Sequence, residues 1–245
     1  MNIVITGGAS GLGKAITRKL ASQKENRVLF TFSKSQISAE KLEKEHRNAE
    51  GFKCDFSKPD EVEALKRQLS TFDVDVLINN AYNGQFLKTY FHKINITDFL
   101  IDFNNNIIPT ISINQEVINY FRKKKQGKII TVLSSALVNI PPIGSASYLA
   151  GKAYLEGLTR IWAAENIKFN ITSNSISPSF MLTNLTRDID ARVIEGMIEN
   201  HPGKRLLTVD EVADKVEYLI NDNTRMNGVN FVLDSGNTVK ICHDI

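Results

Sequence analysis

The sequence predicts an α/β protein, a doubly wound parallel sheet of about seven strands with helices on both faces. Three observations carry that prediction. Short runs rich in Val, Ile and Phe recur along the chain, and longer stretches with apolar residues at helical spacing separate them. No internal repeat, low-complexity segment or linker breaks the alternation. Strands that alternate with helices return by right-handed crossovers into one parallel sheet. Such a sheet is covered on both faces, so its strands read as nearly continuous apolar runs.

The elements follow in order. Strand Ile3–Thr6 runs into Thr6-Gly-Gly-Ala-Ser-Gly-Leu-Gly13 and a helix over Leu12–Gln23, whose apolar stripe is Leu12, Ala15, Ile16 and Leu20. Val28–Phe32 and Phe52–Cys54 are the second and third strands. Ser57-Lys-Pro59 reads as a helix start, with proline tolerated in the first turn, and Val62, Leu65 and Leu69 form the stripe of the helix over Asp60–Leu69. Val74–Ile78, Lys128–Ser134, Ile171–Ile176 and Val229–Leu233 supply the remaining strands. Thr208-Val-Asp-Glu211 has the reciprocal side-chain pattern that caps a helix, opening Val212–Ile220. Seven strands and their crossovers use nearly all 245 residues, so one domain spans 1–245, with a substrate lid over about 179–205.

Composition narrows the function. Lys and Arg number 30 against 27 Asp and Glu, a net charge of +3, too small a field to favour nucleic acid or an anionic membrane. The two cysteines, Cys54 and Cys242, exclude a disulfide scaffold and a thiolate-rich zinc site. His46, His92, His201 and His243 form no metal-ligand pair by spacing. No signal peptide opens the chain and no run is long enough to span a bilayer, so the chain reads as cytoplasmic.

In doubly wound sheets ligands bind at the carboxyl ends of the strands. The loop after the first strand is therefore the first place to look for chemistry. Gly7, Gly11 and Gly13 permit a tight turn and close approach of a pyrophosphate, and Ser10 and Leu12 stand at the start of the helix whose N-terminus favours an anion. A dinucleotide site commonly has an acidic residue at the end of the second strand for the ribose 2′-hydroxyl. Here that strand ends Phe32-Ser33-Lys34-Ser35, without a carboxylate. Ser33, Lys34 and Ser35, with Ser10, could instead cradle a 2′-phosphate, which favours NADP (as NADPH) over NAD. The competing reading of Lys34 is a solvated loop lysine.

The Gly-x3-Gly-x-Gly spacing, in its strand–turn–helix setting, resembles the classical short-chain dehydrogenase/reductase family, which has a Rossmann-type fold. The resemblance extends along essentially the whole chain. Cys54-Asp55-Phe56 stands where the family places an Asp near the adenine, although Asp55 would serve equally as a helix cap. Asn79-Asn80-Ala81 resembles the family's NNAG, with Tyr82 in place of Gly. Pro178 and Thr183 match a Pro followed five residues on by Thr, which implies that Thr183 binds the nicotinamide carboxamide; Ser179 replaces the usual Gly. Gly228–Gly236 resembles the closing strand and DGG turn, again with one glycine replaced.

A Tyr four residues before a Lys occurs twice. Tyr120/Lys124 lies in the basic run Arg122–Lys125, where cations at a helix C-terminus offset its dipole. Tyr148/Lys152 follows the fifth strand, with Ser135 thirteen residues before Tyr148, and closely resembles the family's Ser…Tyr-x3-Lys. Spacing four places Tyr148 and Lys152 on one helix face. Carbonyl reduction needs a hydride on carbon, which the cofactor supplies, and a proton on oxygen. A phenol shuttles that proton near neutral pH only if its anion is stabilised, and a nearby ammonium does so. Tyr148 is the expected general acid–base, Lys152 its tuning partner and, by the resemblance, a ligand of the nicotinamide ribose. Ser135 is expected to hold the substrate oxygen. Ser134 is a lesser rival, since strand alternation turns the two serines to opposite faces. The resemblance also implies an Asn joined through water to the lysine; among Asn104, Asn105 and Asn106 the last fits best.

The expected function is hydride transfer between a nicotinamide cofactor and a carbonyl or alcohol, with a 3-ketoacyl thioester or a small or sugar-like ketone as substrate. Phe180, Met181, Leu182, Leu185 and Met197 are candidates for an apolar pocket under the lid, or for an ordinary amphipathic surface. Arg122–Lys125 would suit an acidic acyl-carrier protein but reads first as a solvated helix end. The family's habits imply a homodimer or homotetramer. The rival class is a dinucleotide-binding regulatory or scaffold protein with impaired catalysis, motivated by Tyr82 and Ser179.

Overall fold

The structure, a computed structural model, describes residues 1–83, 89–183, 186, 189–221 and 226–237. Seven strands form one parallel sheet: β1 (Asn2–Ile5), β2 (Arg27–Phe32), β3 (Ala49–Lys53), β4 (Val76–Asn79), β5 (Gly127–Val132), β6 (Ile171–Pro178) and β7 (Asn230–Leu233). Their order is β3-β2-β1-β4-β5-β6-β7. The chain winds outward from β1 in one direction and from β4 in the other. The carboxyl ends of β1 and β4 therefore diverge into a crevice, the place where such sheets bind ligands.

Alternation along the strands sorts side chains into two cores. Ile3, Ile5, Phe30 and Ile78 face helices α1 (Gly11–Ala21) and α7 (Val209–Asn221), meeting Ile16, Leu20 and Val216. Val4, Leu29, Leu77 and Ile129 face α3 (Pro59–Phe72) and α4 (Ile96–Lys124), meeting Leu65, Phe72, Val117 and Phe121. Both faces being covered explains why these runs are apolar throughout. β3 begins three residues earlier than the sequence suggests. It is the edge strand, with Glu50 and Lys53 exposed, so only Phe52 onward reads as apolar.

Local signals hold where they were explicit. Pro59 opens α3. At α7, Thr208 N donates to Glu211 Oε2 at 2.9 Å and Glu211 N to Thr208 Oγ1 at 3.2 Å, the reciprocal cap. The Tyr120/Lys124 pair is structural: the Tyr120 hydroxyl donates to Asp73, and Lys124 Nζ reaches Asp73 at 2.9 Å and Asp75 at 2.5 Å. This cluster lies at the amino end of β4, away from the crevice. The Arg122 guanidinium sits 4.5 Å from the Phe169 ring centroid.

The remaining helices are α2 (Gln36–Glu45), α5 (Ala146–Asn166) and α6 (Ala191–Asn200), the last inside the lid. Leu185, Cys242 and His243 lie outside the described residues. Among the described residues no helix is long and apolar enough to cross a membrane, and no group of three or more His, Cys, Asp or Glu could hold a metal ion.

Candidate active site

A cleft of about 770 Å³ runs along the carboxyl ends of the strands. Its floor is the turn after β1. Gly7 and Gly11 hold φ of 68° and 49°, the left-handed region that glycine enters cheaply. Gly13 is fixed by space instead, because a Cβ there would lie 2.1 Å from the Gly7 carbonyl oxygen. Gly7 N donates to Thr31 Oγ1 at 2.9 Å and Gly8 N to the Thr31 carbonyl at 2.8 Å, which lashes the turn to β2. Ser10 is the N-cap of α1, yet its side chain makes no capping bond, and the first turn has no carboxylate. Among the described residues no side-chain acceptor is seen for the N–H groups of that turn, and Ser10, Gly11, Leu12 and Gly13 all line the cleft. The turn fits the pyrophosphate of a dinucleotide.

Beyond the turn, Phe32, Ser33, Ser35, Cys54 and Phe56 form one wall. Lys34 is exposed and does not line the cleft. Asp55 does not line it either. Its carboxylate accepts from Ser57 N at 3.0 Å, Ser57 Oγ at 2.7 Å and Asn83 Nδ2 at 3.1 Å. Burial would raise this carboxyl, but the Ser57 bonds and the nearby Lys58 and Lys34 outweigh it and hold it below the usual range. The helix-cap alternative for Asp55 is thus close to what is seen, a turn held ahead of α3. Burial pushes the Cys54 thiol up to about 12.

Asn80 carries the next strand end. Its Nδ2 donates to the carbonyls of Thr6 and Gly7 at 2.9 and 3.1 Å, and the backbone N–H groups of Asn80 and Ala81 both donate to Thr6 Oγ1 at 3.0 Å. Thr6 is a functional residue that motif reading missed, since its role appears only once β1 and β4 lie side by side. Asn79 and Asn114 exchange amide hydrogen bonds of 3.1 and 2.9 Å in the buried layer below.

Tyr148, in the first turn of α5, shares a hydrogen bond with the side chain of Ser134. Ser135, the expected holder of the substrate oxygen, is buried and lines the same cleft. β5 ends at Val132 and the backbone turns into a short 3₁₀ segment at Ser135–Leu137, so strand alternation no longer separates the two serines and both line the cleft. Lys152 is buried one turn on and donates to the Val132 carbonyl at 2.8 Å. Burial lowers its ammonium to about 8 and raises the Tyr148 phenol; the bond with Ser134 is what opposes that rise.

Asn106 does not line the cleft. Its Nδ2 donates to the Asp102 carbonyl at 2.9 Å and to Asp102 Oδ1 at 3.1 Å, and its Oδ1 accepts from Asn83 N at 2.5 Å. Its side chain clamps the segment after β4. Tyr82 and Ser179 take no positive φ, so the two missing glycines cost the backbone no strain; the replaced glycine of the last turn, Ser235, does, at 54°. Ser179 N donates to the Leu233 carbonyl at 2.8 Å.

After β6, Pro178, Phe180, Met181 and Thr183 line the cleft, and Thr183 stands over the glycine turn. Thr186 organises this segment, with its hydroxyl accepting from Thr183 N at 2.9 Å and donating to the Met181 carbonyl at 2.9 Å. Met197 of α6 joins the wall while Leu182 is exposed. Among the described residues Lys152 is the one charged side chain lining the cleft.

Comparison with known proteins places these features in context. The sequence profile described as short chain dehydrogenase matches residues 1–193. The chain is 31% identical over 223 residues to a 3-oxoacyl-(acyl-carrier-protein) reductase of Buchnera aphidicola, covering 90% of this chain and 89% of that one. It is 28% identical over 227 residues to the reductase of the same name from Thermotoga maritima, covering 90% of each. Among solved structures, a 3-ketoacyl-(acyl-carrier-protein) reductase from Brucella melitensis complexed with NADH has the same fold, with a TM-score of 0.85 at 23% identity over 97% of this chain and 98% of that one.

Proposed function

The chain belongs to the short-chain dehydrogenase family of oxidoreductases, and within that family we propose that it reduces a carbonyl with NADPH, or runs the reverse oxidation, with Tyr148 as general acid–base. One observation carries this reading: the Tyr148–Ser134 hydrogen bond stands at the end of β5 with Lys152 one turn away, in the same cleft as the glycine turn.

When bound, the nicotinamide supplies the hydride. Gly7, Ser10, Gly11, Leu12 and Gly13 hold the pyrophosphate, Phe56 borders the adenine, and Asn80, Ala81, Pro178 and Thr183 line the route to the nicotinamide. Asp55 acts from behind, shaping the turn. Ser33 and Ser35, with Lys34 at the rim, receive a 2′-phosphate in a wall that has no carboxylate to repel it. Tyr148 gives its proton to the substrate oxygen. Its raised phenol keeps that proton available at neutral pH, and Ser134 holds the same oxygen. The Lys152 ammonium then stabilises the phenolate. Asn106 keeps the segment after β4 in place.

The substrate reading follows the relatives' names and the apolar wall of Phe180, Met181 and Met197: a 3-ketoacyl thioester first, a small ketone second. The chain works as a homodimer or homotetramer, for α4 exposes Leu100, Ile101 and Ile108, and α5 exposes Tyr154 and Ile161. NADPH absorbance followed against a panel of 3-ketoacyl thioesters and small ketones tests the function. Turnover that disappears in Tyr148→Phe is the expected result. Wild-type turnover in that variant overturns the mechanism, tight NADPH binding without turnover on any substrate favours a regulatory protein, and tighter binding of NADH than NADPH overturns the role of Ser33 and Lys34.

A further inference from the structure

Tyr82 stands where the family pattern has glycine, and its contacts converge on the catalytic tyrosine. Its ring meets that of Tyr148 edge to face, with centroids 5.0 Å apart and planes at 90°. Its hydroxyl donates to Asp102 Oδ1 on α4 at 2.9 Å. The same carboxylate takes a hydrogen bond from the side chain of Ser147, which precedes Tyr148 in the first turn of α5, and another from Asn106 Nδ2 at 3.1 Å. Lys152 Nζ lies 5.8 and 5.7 Å from the centroids of the Tyr82 and Tyr148 rings, so one cation serves both.

We infer that Asp102 and Tyr82 are positioning residues that brace Tyr148: one carboxylate on α4 holds both the ring beside the catalytic phenol and the helical turn that carries it. The inference rests on the reading of Tyr148 as the proton donor. A phenylalanine at 82 would keep the edge-to-face contact but leave the ring free to slide. The hydroxyl fastens it. Asp102 suits the task because a carboxylate accepts several donors at once. Burial raises its carboxyl, and the bonds from Tyr82, Ser147 and Asn106 work against that rise.

The test uses the full chain as Tyr82→Phe, Asp102→Asn and the double variant, with Tyr148→Phe beside them. A displacement of 1 Å costs roughly 100-fold in rate, and loosening one neighbour of the phenol should cost less, about 10-fold in kcat for each single variant. NADPH affinity and thermal midpoint stay near wild type in Tyr82→Phe, and the double variant loses no more than the worse single, because the Tyr82 hydroxyl acts through Asp102. Unchanged kcat in both singles, or losses that multiply in the double, overturns the brace. So does a fall in thermal midpoint with kcat per NADPH-binding site unchanged, which marks a purely structural bond. A readout without substrate is the ¹⁹F spectrum of fluorotyrosine-labelled protein, with the Tyr148 resonance assigned by its loss in Tyr148→Phe. It should shift and broaden in Tyr82→Phe and Asp102→Asn, and an unmoved resonance refutes the brace. If Tyr148→Phe is inactive while Tyr82→Phe matches wild type in rate and spectrum, the brace alone fails; if Tyr148→Phe turns over normally, the site assignment fails and takes the brace with it.

Discussion

Replacing Gly13 by alanine puts a methyl group inside the floor of the cleft. The new carbon would lie 2.1 Å from the Gly7 carbonyl oxygen, 2.5 Å from Asn80 Nδ2 and 2.9 Å from the Gly7 carbonyl carbon. Ordinary contact needs about 3.5 Å, so the turn and α1 must part by more than 1 Å, roughly. Neither obstacle is a flexible tip. Gly7 is backbone, and the Asn80 amide is fastened to two carbonyls at 2.9 and 3.1 Å. Overpacking of this kind costs about 1–3 kcal/mol of stability. The parted turn also misaims the N–H groups that receive the pyrophosphate. A hydrogen bond to a charged group is worth about 1.5–3 kcal/mol, so misaiming one weakens NADPH binding about 10- to 100-fold. Fluorescence titration with NADPH measures the affinity and a thermal melt measures the stability. Wild-type affinity with a lowered midpoint would show that the turn does not hold the dinucleotide, and no change in either would refute the crowding argument itself.

Three further outcomes are expected. Ser134→Ala lowers kcat about 100-fold, as loss of a positioned hydroxyl at a reacting oxygen does, while Ser135→Ala lowers it much less; the opposite ranking in steady-state kinetics returns the role to Ser135. Burial brings the Lys152 ammonium down to about 8, so kcat/KM for reduction falls as pH rises through about 8, and a limb seen only near 10 would sink the assignment. The same group binds a proton in the unfolded chain up to its ordinary value of about 10.4 but not in the folded one. Its contribution to stability therefore increases with pH between about 8 and 10.4, and urea titrations of wild type and Lys152→Met across that window should show the slope in the former alone.

What the sequence makes legible depends on how local the cause is. Strands buried on both faces announce themselves, as Val28–Phe32 does, whereas β3 at the sheet edge hides half its length behind Glu50 and Gly51. The glycine turn, Asn80 and Tyr148 with Lys152 are local patterns and were readable. The serine was not, because alternation applies only while the strand lasts, and β5 stops at Val132. Asn106 was found by its place before the fifth strand, yet its partners, Asp102 and Asn83, are set by how α4 lies against the segment after β4. That Ser33 and Ser35 line the cleft while Lys34 between them is exposed is set by the loop's path and not by its residue types. Tyr82 and Ser179, standing where the family has glycine, would strain the chain only in a left-handed backbone. Of the three replaced glycines only Ser235 adopts it.

Among the described residues no acidic side chain lines the cleft wall, and this has a consequence before any contact forms. A ligand carrying several phosphate charges diffuses toward a concave surface whose one lining charge among the described residues is Lys152. Low-dielectric walls focus such a field. Anionic ligands should therefore arrive faster than neutral ones of the same size, and their association rate should fall as added salt shortens the reach of the field to about 10 Å at 0.1 M. Sorting among ligands then begins in the encounter, before the glycine turn has touched anything.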